Sequence, residues 1–380
     1  MTALEQSGIK KLGFGFMRLP LVNGNFEQID QKTLCAMVDH FLKKGFRYFD
    51  TAWFYHNGQS EAAIRDCLVS RYPRSAFLLA DKMPLVLIRE ERELEEYFQT
   101  QLTRCGVDYF DFYLLHDMGK DRLETAERTR AFAFLRRKKA EGLARKIGFS
   151  FHDTADVLDT LLTEHPEVDF VQLQLNYLDW ESRSIQSRRC YETAQRHGKP
   201  VIVMEPVKGG TLANIPEKAG ERFHACRPEM SAASWAIRFA ASLENVMMVL
   251  SGMSTLQQVE DNTSYMENFS PLSQQERSVV QEVTGIINDS VTIPCTGCSY
   301  CTNGCPMNIA IPQYFSLYNA EMRELEDKPW TAQLMLYGHL SGQFGKASAC
   351  VGCGSCEEMC PQHLPIREWL KAVARKFENG

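Results

Sequence analysis

Val246-Met247-Met248-Val249-Leu250 is an unbroken apolar run, and Val201-Ile202-Val203-Met204 is another. A strand wetted on one side alternates apolar and polar residues. An unbroken run suits a strand covered on both faces, as in a parallel sheet. Working outward, β-branched or aromatic runs recur at fairly even intervals. Leu12–Phe16, Arg47–Thr51, Phe77–Lys82, Phe110–His116, Lys146–Ser150 and Val168–Leu175 come first, then Val201–Glu205 and Val246–Ser251. Helical spacing lies between them. Gln31 to Lys44 sets Leu34, Val38, Phe41 and Leu42 on one face, and Arg89 to Arg104 sets Leu94, Phe98 and Leu102 on another. Glu141-Gly142 and His197-Gly198 read as helix ends running into the next strand. Eight strands, each followed by a helix, predict an α/β protein built on a closed (β/α)8 TIM barrel. The alternative, an open doubly wound sheet, announces itself by three spaced glycines after the first strand. Gly13-Phe14-Gly15-Phe16-Met17-Arg18 lacks the third.

The rest of the chain has a different character. Of 13 cysteines in 380 residues, eight fall between Cys295 and Cys360. Ser270-Pro271 followed by Gln275-Glu276 opens one more helix, to about Ile287, and 288–294 reads as a linker. The expected division is a barrel over 1–287 and a mainly α-helical iron–sulfur domain over 295–380. Tyr314–Leu325, Thr331–Leu340 and the segment after Pro365 (Ile366, Trp369, Leu370, Val373) have helical spacing. With 44% hydrophobic and 24% charged residues the composition is that of a globular protein. No run of about 18 uncharged apolar residues is present, and Met1–Lys11 has no apolar signal core. The net charge of −6 argues against a nucleic-acid or acidic-lipid partner. Cytoplasmic placement is expected, with Cys35, Cys67, Cys105, Cys190 and Cys226 as small buried hydrophobes.

The cysteine runs carry the most specific signal. Cys295-x2-Cys298-x2-Cys301-x3-Cys305-Pro306 and Cys350-x2-Cys353-x2-Cys356-x3-Cys360-Pro361 share the spacing of bacterial ferredoxins. Two residues between ligands let the chain wrap three corners of a cubane, with amide N–H groups aimed at the sulfurs. The fourth cysteine of such a run serves the other cluster. Two [4Fe-4S] clusters are therefore expected, one on Cys295, Cys298, Cys301 and Cys360, the other on Cys350, Cys353, Cys356 and Cys305. A pair of zinc sites is the alternative, but zinc knuckles show two CxxC pairs with longer gaps.

In the barrel, Asp50, Lys82 and His116 end the second, third and fourth predicted strands, and Tyr55 lies five residues after Asp50. Barrel active sites lie at that rim. A phenol can protonate a carbonyl oxygen that is receiving hydride. A nearby ammonium, Lys82, is expected to lower its pKa, with Asp50 holding the lysine and His116 orienting the carbonyl.

With Leu12-Gly13-Phe14-Gly15-Phe16-Met17-Arg18-Leu19-Pro20, Gly45–Ala52, Gly58-Gln59-Ser60-Glu61, Ile147-Gly148-Phe149-Ser150 and Val259-Glu260-Asp261-Asn262, the chain resembles the aldo/keto reductase superfamily over about residues 10–270. Its whole length resembles the branch with a C-terminal 4Fe-4S ferredoxin-type domain. The resemblance implies NADP or NAD across the barrel mouth, Ser150 and Gln172 at the carboxamide with Asn176 nearby, and Ser251, Gly252, Asp261 and Asn262 at the phosphate and adenine end. Phe151 stands where many members have Asn, and Met204-Glu205 where a Tyr often stacks. Ser251–Met266 has no Lys or Arg to meet a 2′-phosphate. The implied activity is reduction of a small carbonyl substrate. Hydride moves electrons in pairs and cubanes move them singly, so one expectation is a reductase whose clusters serve structure, regulation or a flavoprotein or ferredoxin partner. The other is an electron-transfer or redox-sensing protein on a barrel scaffold.

Overall fold

The computed structural model describes residues 8–25, 28–181, 185–290, 292–322 and 332–378. Parts of the sequence reading therefore lie outside the described residues: most of Met1–Lys11, linker residue 291, and the adjoining ends of the two helices expected at 314–325 and 331–340. Eight parallel strands close into a barrel in chain order. They are β1 (Leu12–Gly15), β2 (Tyr48–Asp50), β3 (Leu78–Met83), β4 (Phe110–Met118), β5 (Ala144–Phe151), β6 (Phe170–Gln174), β7 (Val201–Met204) and β8 (Val246–Gly252). The seam is closed by β1 against β8, with Gly13 opposite Leu250 and Gly15 opposite Gly252.

Strand parity divides the core. Phe49, Leu79, Tyr113, Leu115, Phe149 and Val203 pack outward with the helices, whereas Tyr48, Ala80, Phe112, Leu114, Phe170, Ile202 and Met248 fill the barrel interior. Gly148 makes room for that filling, since a Cβ there would lie 2.4 Å from the Phe170 carbonyl oxygen.

Contacts group the chain into two compact units, Met1–Val207 with Met230–Arg277, and Lys208–Glu229 with Ser278–Gly380. This grouping divides the chain at 277 where the sequence reading expects 287, and it places the excursion 208–229 with the second unit. The expected linker is also shorter. The helix Gln274–Ser290 continues through Asn288-Asp289; it tolerates Gly285, and no further Gly or Pro follows before Pro294. In the second unit, helices Ile311–Glu321, Ala332–Ser341 and Ile366–Phe377 surround a core that includes Ile309, Tyr314, Phe315, Leu370 and Val373.

One cysteine expectation is overturned. Cys35 and Cys67 are joined by a disulfide, their Cα atoms 4.8 Å apart. The helix Gln31–Lys43 lies against the helical segment Arg65–Val69, a neighbourhood that a sequence separation of 32 conceals. Cys105 and Cys190 are buried free thiols, and Cys226 is a partly exposed one.

Candidate active site

The parity that turns Tyr48, Ala80 and Leu114 inward also turns Asp50, Lys82 and His116 inward, one or two steps nearer the C-terminal rim. Tyr55 reaches the same place from the loop after β2. That loop is pinned at several points. Thr51 Oγ1 and Ser60 Oγ are 2.8 Å apart, Ser60 Oγ donates to the Phe16 carbonyl, and His56 Nε2 accepts from Leu19 N at 3.0 Å. Arg104 lies 3.8 Å over the Trp53 ring.

Asp50 and Tyr55 meet at the lysine, and His116 stands against Tyr55. Lys82 Nζ, fully buried, donates to Asp50 Oδ1 at 2.5 Å, to the Thr51 carbonyl at 2.8 Å and to the Tyr55 hydroxyl at 3.3 Å. The His116 ring stands edge-on to Tyr55 with centroids 6.0 Å apart. Protonation follows from this packing. Burial raises the Tyr55 phenol well above its ordinary value, and the carboxylates of Asp50, Glu205 and Asp81 push it the same way. This reverses the expectation that Lys82 lowers it. The ammonium is spent largely on Asp50 and a carbonyl, and burial of the phenol outweighs what remains. Burial, then Lys82 and His152, hold the His116 imidazole well below its ordinary value, so it is neutral at pH 7. Asp50 is raised by burial against the pull of Lys82.

The residues implied for the nucleotide fall into two groups. Some are consumed by the protein itself. Asn176 Nδ2 donates to Asp179 Oδ2 at 2.8 Å and to the Glu205 carbonyl at 3.2 Å. Asn262 Nδ2 donates to Ser251 Oγ at 2.9 Å and its Oδ1 accepts from Tyr265, which ties the helix Leu256–Met266 to β8. Asp261 accepts from Ser231 Oγ at 2.6 Å, and Ser150 Oγ from Asp117 N at 2.8 Å. Gln172 is different: its Nε2 meets Met204 Sδ at 3.6 Å, and its Oε1 is buried with no partner among the described residues. An orphaned acceptor at the rim suits the N–H of a carboxamide.

The second unit holds two sulfur-lined spaces. Cys295, Cys298, Cys301 and Cys360 border one, and Cys305, Cys350, Cys353 and Cys356 border the other. Each space thus takes three sulfurs from one run and the last from the other. Among the described residues no three His, Cys, Asp or Glu converge as round a single ion. A cubane, whose thiolates bind four separate irons, fits this donor set better than zinc does. Amide donors reach the sulfurs too, from Ile309 N to Cys305 and from Ser355 N to Cys353. The two runs repeat one backbone path. Gly297 and Gly352 are left-handed, as are Ser299 and Gly354, and a short helix follows in each, Tyr300–Asn303 and Ser355–Glu358.

A sequence model of the aldo/keto reductase family matches residues 11–284. The chain belongs to that family. A second model, of a 4Fe-4S dicluster domain, matches residues 294–364. L-galactose dehydrogenase of Arabidopsis thaliana is 24% identical over 76% of this chain and 94% of its own. The NAD(P)H-dependent D-xylose reductase of Aspergillus niger is 27% identical over 50% of this chain and 64% of its own. Among solved structures, an aldo-keto reductase from Klebsiella pneumoniae in complex with NADPH aligns with a TM-score of 0.59 and 18% identity, over 73% of this chain and 91% of that one, a likeness of fold. The aldo/keto reductase chain is an oxidoreductase acting on a small molecule with a nicotinamide cofactor, and it carries an iron–sulfur domain. Among the described residues no helix is long and apolar enough to cross a membrane.

Two residues of this aldo/keto reductase were missed by sequence reasoning. Arg18 follows β1, and its Nη2 is buried with no partner among the described residues. A Cβ at Gly252 would touch its side chain at 3.3 Å, and its carbonyl accepts from Ser254 Oγ, just before the helix Leu256–Met266. A guanidinium thus lies across the seam, beside a helix N-terminus suited to a phosphate that both nucleotides share. Closure of the barrel, which makes the loops after β1 and β8 neighbours, is the signal that could have found it. Glu205 follows β7 in left-handed backbone at φ 56°, its Oε2 buried and unpartnered among the described residues. It was noticed as a departure, but no local pattern marks it as a rim carboxylate.

Proposed function

We propose that the barrel reduces the carbonyl of a small compound to an alcohol with NADH or NADPH, and that the cysteine-rich module holds two [4Fe-4S] clusters. The observation that carries the reading is the lysine bridge, Asp50 to Lys82 to Tyr55, at 2.5 and 3.3 Å. Bound nicotinamide supplies the hydride; the protein supplies the proton. Neutral His116 and the Tyr55 hydroxyl bracket a carbonyl oxygen, and the phenol gives that oxygen its proton as charge builds on it. A tightly held phenolic proton is no obstacle, because an alkoxide is a stronger base than a phenolate. Lys82 then steadies the phenolate until water restores the proton. Gln172 Oε1 receives the carboxamide and Arg18 a phosphate. With no cation in 251–266, NADPH binds no more tightly than NADH. The relatives named for L-galactose and D-xylose make aldoses the first substrates to try.

The clusters exchange single electrons with a flavoprotein or ferredoxin partner. The donor sets of four sulfurs round each space support this part of the reading.

The test is an anaerobic fluorescence titration with NADH and NADPH, followed by turnover with aldoses. Both nucleotides are expected to quench protein fluorescence. Tyr55→Phe should lower kcat by about 10²–10⁴-fold with nucleotide Kd unchanged. Absence of binding by either nucleotide overturns the reductase, and unchanged turnover in the variant overturns the proton donor.

A further inference from the structure

Lys208 opens the excursion 208–229 that is grouped with the cysteine-rich module. It carries a cation into the interior of that unit. Its side chain is buried, and Nζ donates to Gln362 Oε1 at 3.1 Å. Gln362, also buried, lines the space bordered by Cys295, Cys298, Cys301 and Cys360. The backbone is shaped to place the ammonium there, left-handed at Lys208, Gly209 and Gly210 in succession. The cation lining the second space is Arg367. Its side chain is 47% exposed and already paired with Glu357 at 2.7 Å.

A cubane on four thiolates gains one negative charge when it takes up one electron, with no bond broken and no proton moved. A buried positive charge beside it favours the reduced form and is little screened by solvent. An exposed guanidinium, screened by solvent, does so weakly. We propose that Lys208 makes the cluster on Cys295, Cys298, Cys301 and Cys360 the more easily reduced of the two, so that a single electron from a low-potential one-electron donor comes to rest there. This rests on the two-cluster reading of the module.

The test is an anaerobic potentiometric titration of the full-length holoprotein. Dithionite acts through viologen mediators, and electron paramagnetic resonance follows each cluster. Iron and sulfide are counted on the same samples. Two one-electron waves are expected. In Lys208→Gln, which keeps a polar group without the charge, the higher wave should fall by at least tenfold in reduced-to-oxidised ratio, or 59 mV. The lower wave should stay, and Lys208→Arg should restore the higher one. Cys360→Ser identifies the higher wave by removing it; its survival there overturns the assignment. Wild-type protein with iron for one cluster overturns the two-cluster reading itself. With both clusters present, an unmoved wave, equal movement of both, or loss of iron from Lys208→Gln overturns the tuning role.

Discussion

Tyr55 and Arg18 are held in opposite ways. Burial, with nearby carboxylates acting the same way, keeps the phenolic proton in place, so the phenol is a donor that waits for a stronger base than itself. The guanidinium has a buried Nη2 with no partner among the described residues, which is costly in a folded chain unless a ligand repays it. Arg18→Met should therefore weaken binding of NADH and NADPH alike, by about 10–100-fold if one charge-assisted hydrogen bond to phosphate is lost. Isothermal titration would check it. Equal loss for both nucleotides is the point, since a residue that reads the 2′-phosphate alone would spare NADH.

At the scale of elements, the helix Gln274–Ser290 is fastened at its first turn. Ser273 N donates to Glu276 Oε2 at 2.8 Å and Glu276 N to Ser273 Oγ, a reciprocal cap. Glu276 also accepts from Arg238 at 2.9 Å, with both side chains 5% exposed. Burial opposes the charge, but the Ser273 and Arg238 hydrogen bonds overcome it and hold the Glu276 carboxyl at about 2 instead of 4.5. A depressed carboxylate stabilises the fold above its unfolded value and loses that contribution as pH falls through the folded one. Glu276→Gln should thus cost about 3 kcal/mol at pH 7, and the deficit should shrink between pH 4.5 and 2. Denaturant unfolding followed by tryptophan fluorescence at several pH values measures it. A deficit independent of pH would mean that the cap, and not the charge, matters.

At the scale of the molecule, the crossed sulfurs make a counterintuitive prediction. Cys360→Ser should empty the space bordered by Cys295, Cys298 and Cys301, while its own run keeps the other cluster. Iron per chain should fall by half, and loss of the cluster on Cys350, Cys353 and Cys356 instead would reverse the pairing. The barrel was legible because parallel strands buried on both faces leave unbroken apolar runs, as at Val201–Met204. The sulfur spacings were legible because cluster chemistry dictates them locally. What stayed hidden depends on long-range contact: Cys35 beside Cys67, Arg18 beside Gly252, and the excursion at Lys208 that groups with the cysteine-rich module. The direction of the Tyr55 shift was misread because sequence names the nearest cation but not how deeply the phenol is buried. The pairing of β1 with β8 also has a consequence for biosynthesis. The earliest strand to emerge from the ribosome must wait, one edge bare, until Val246–Gly252 has been translated. Chains stalled before that point should be the ones that chaperones capture.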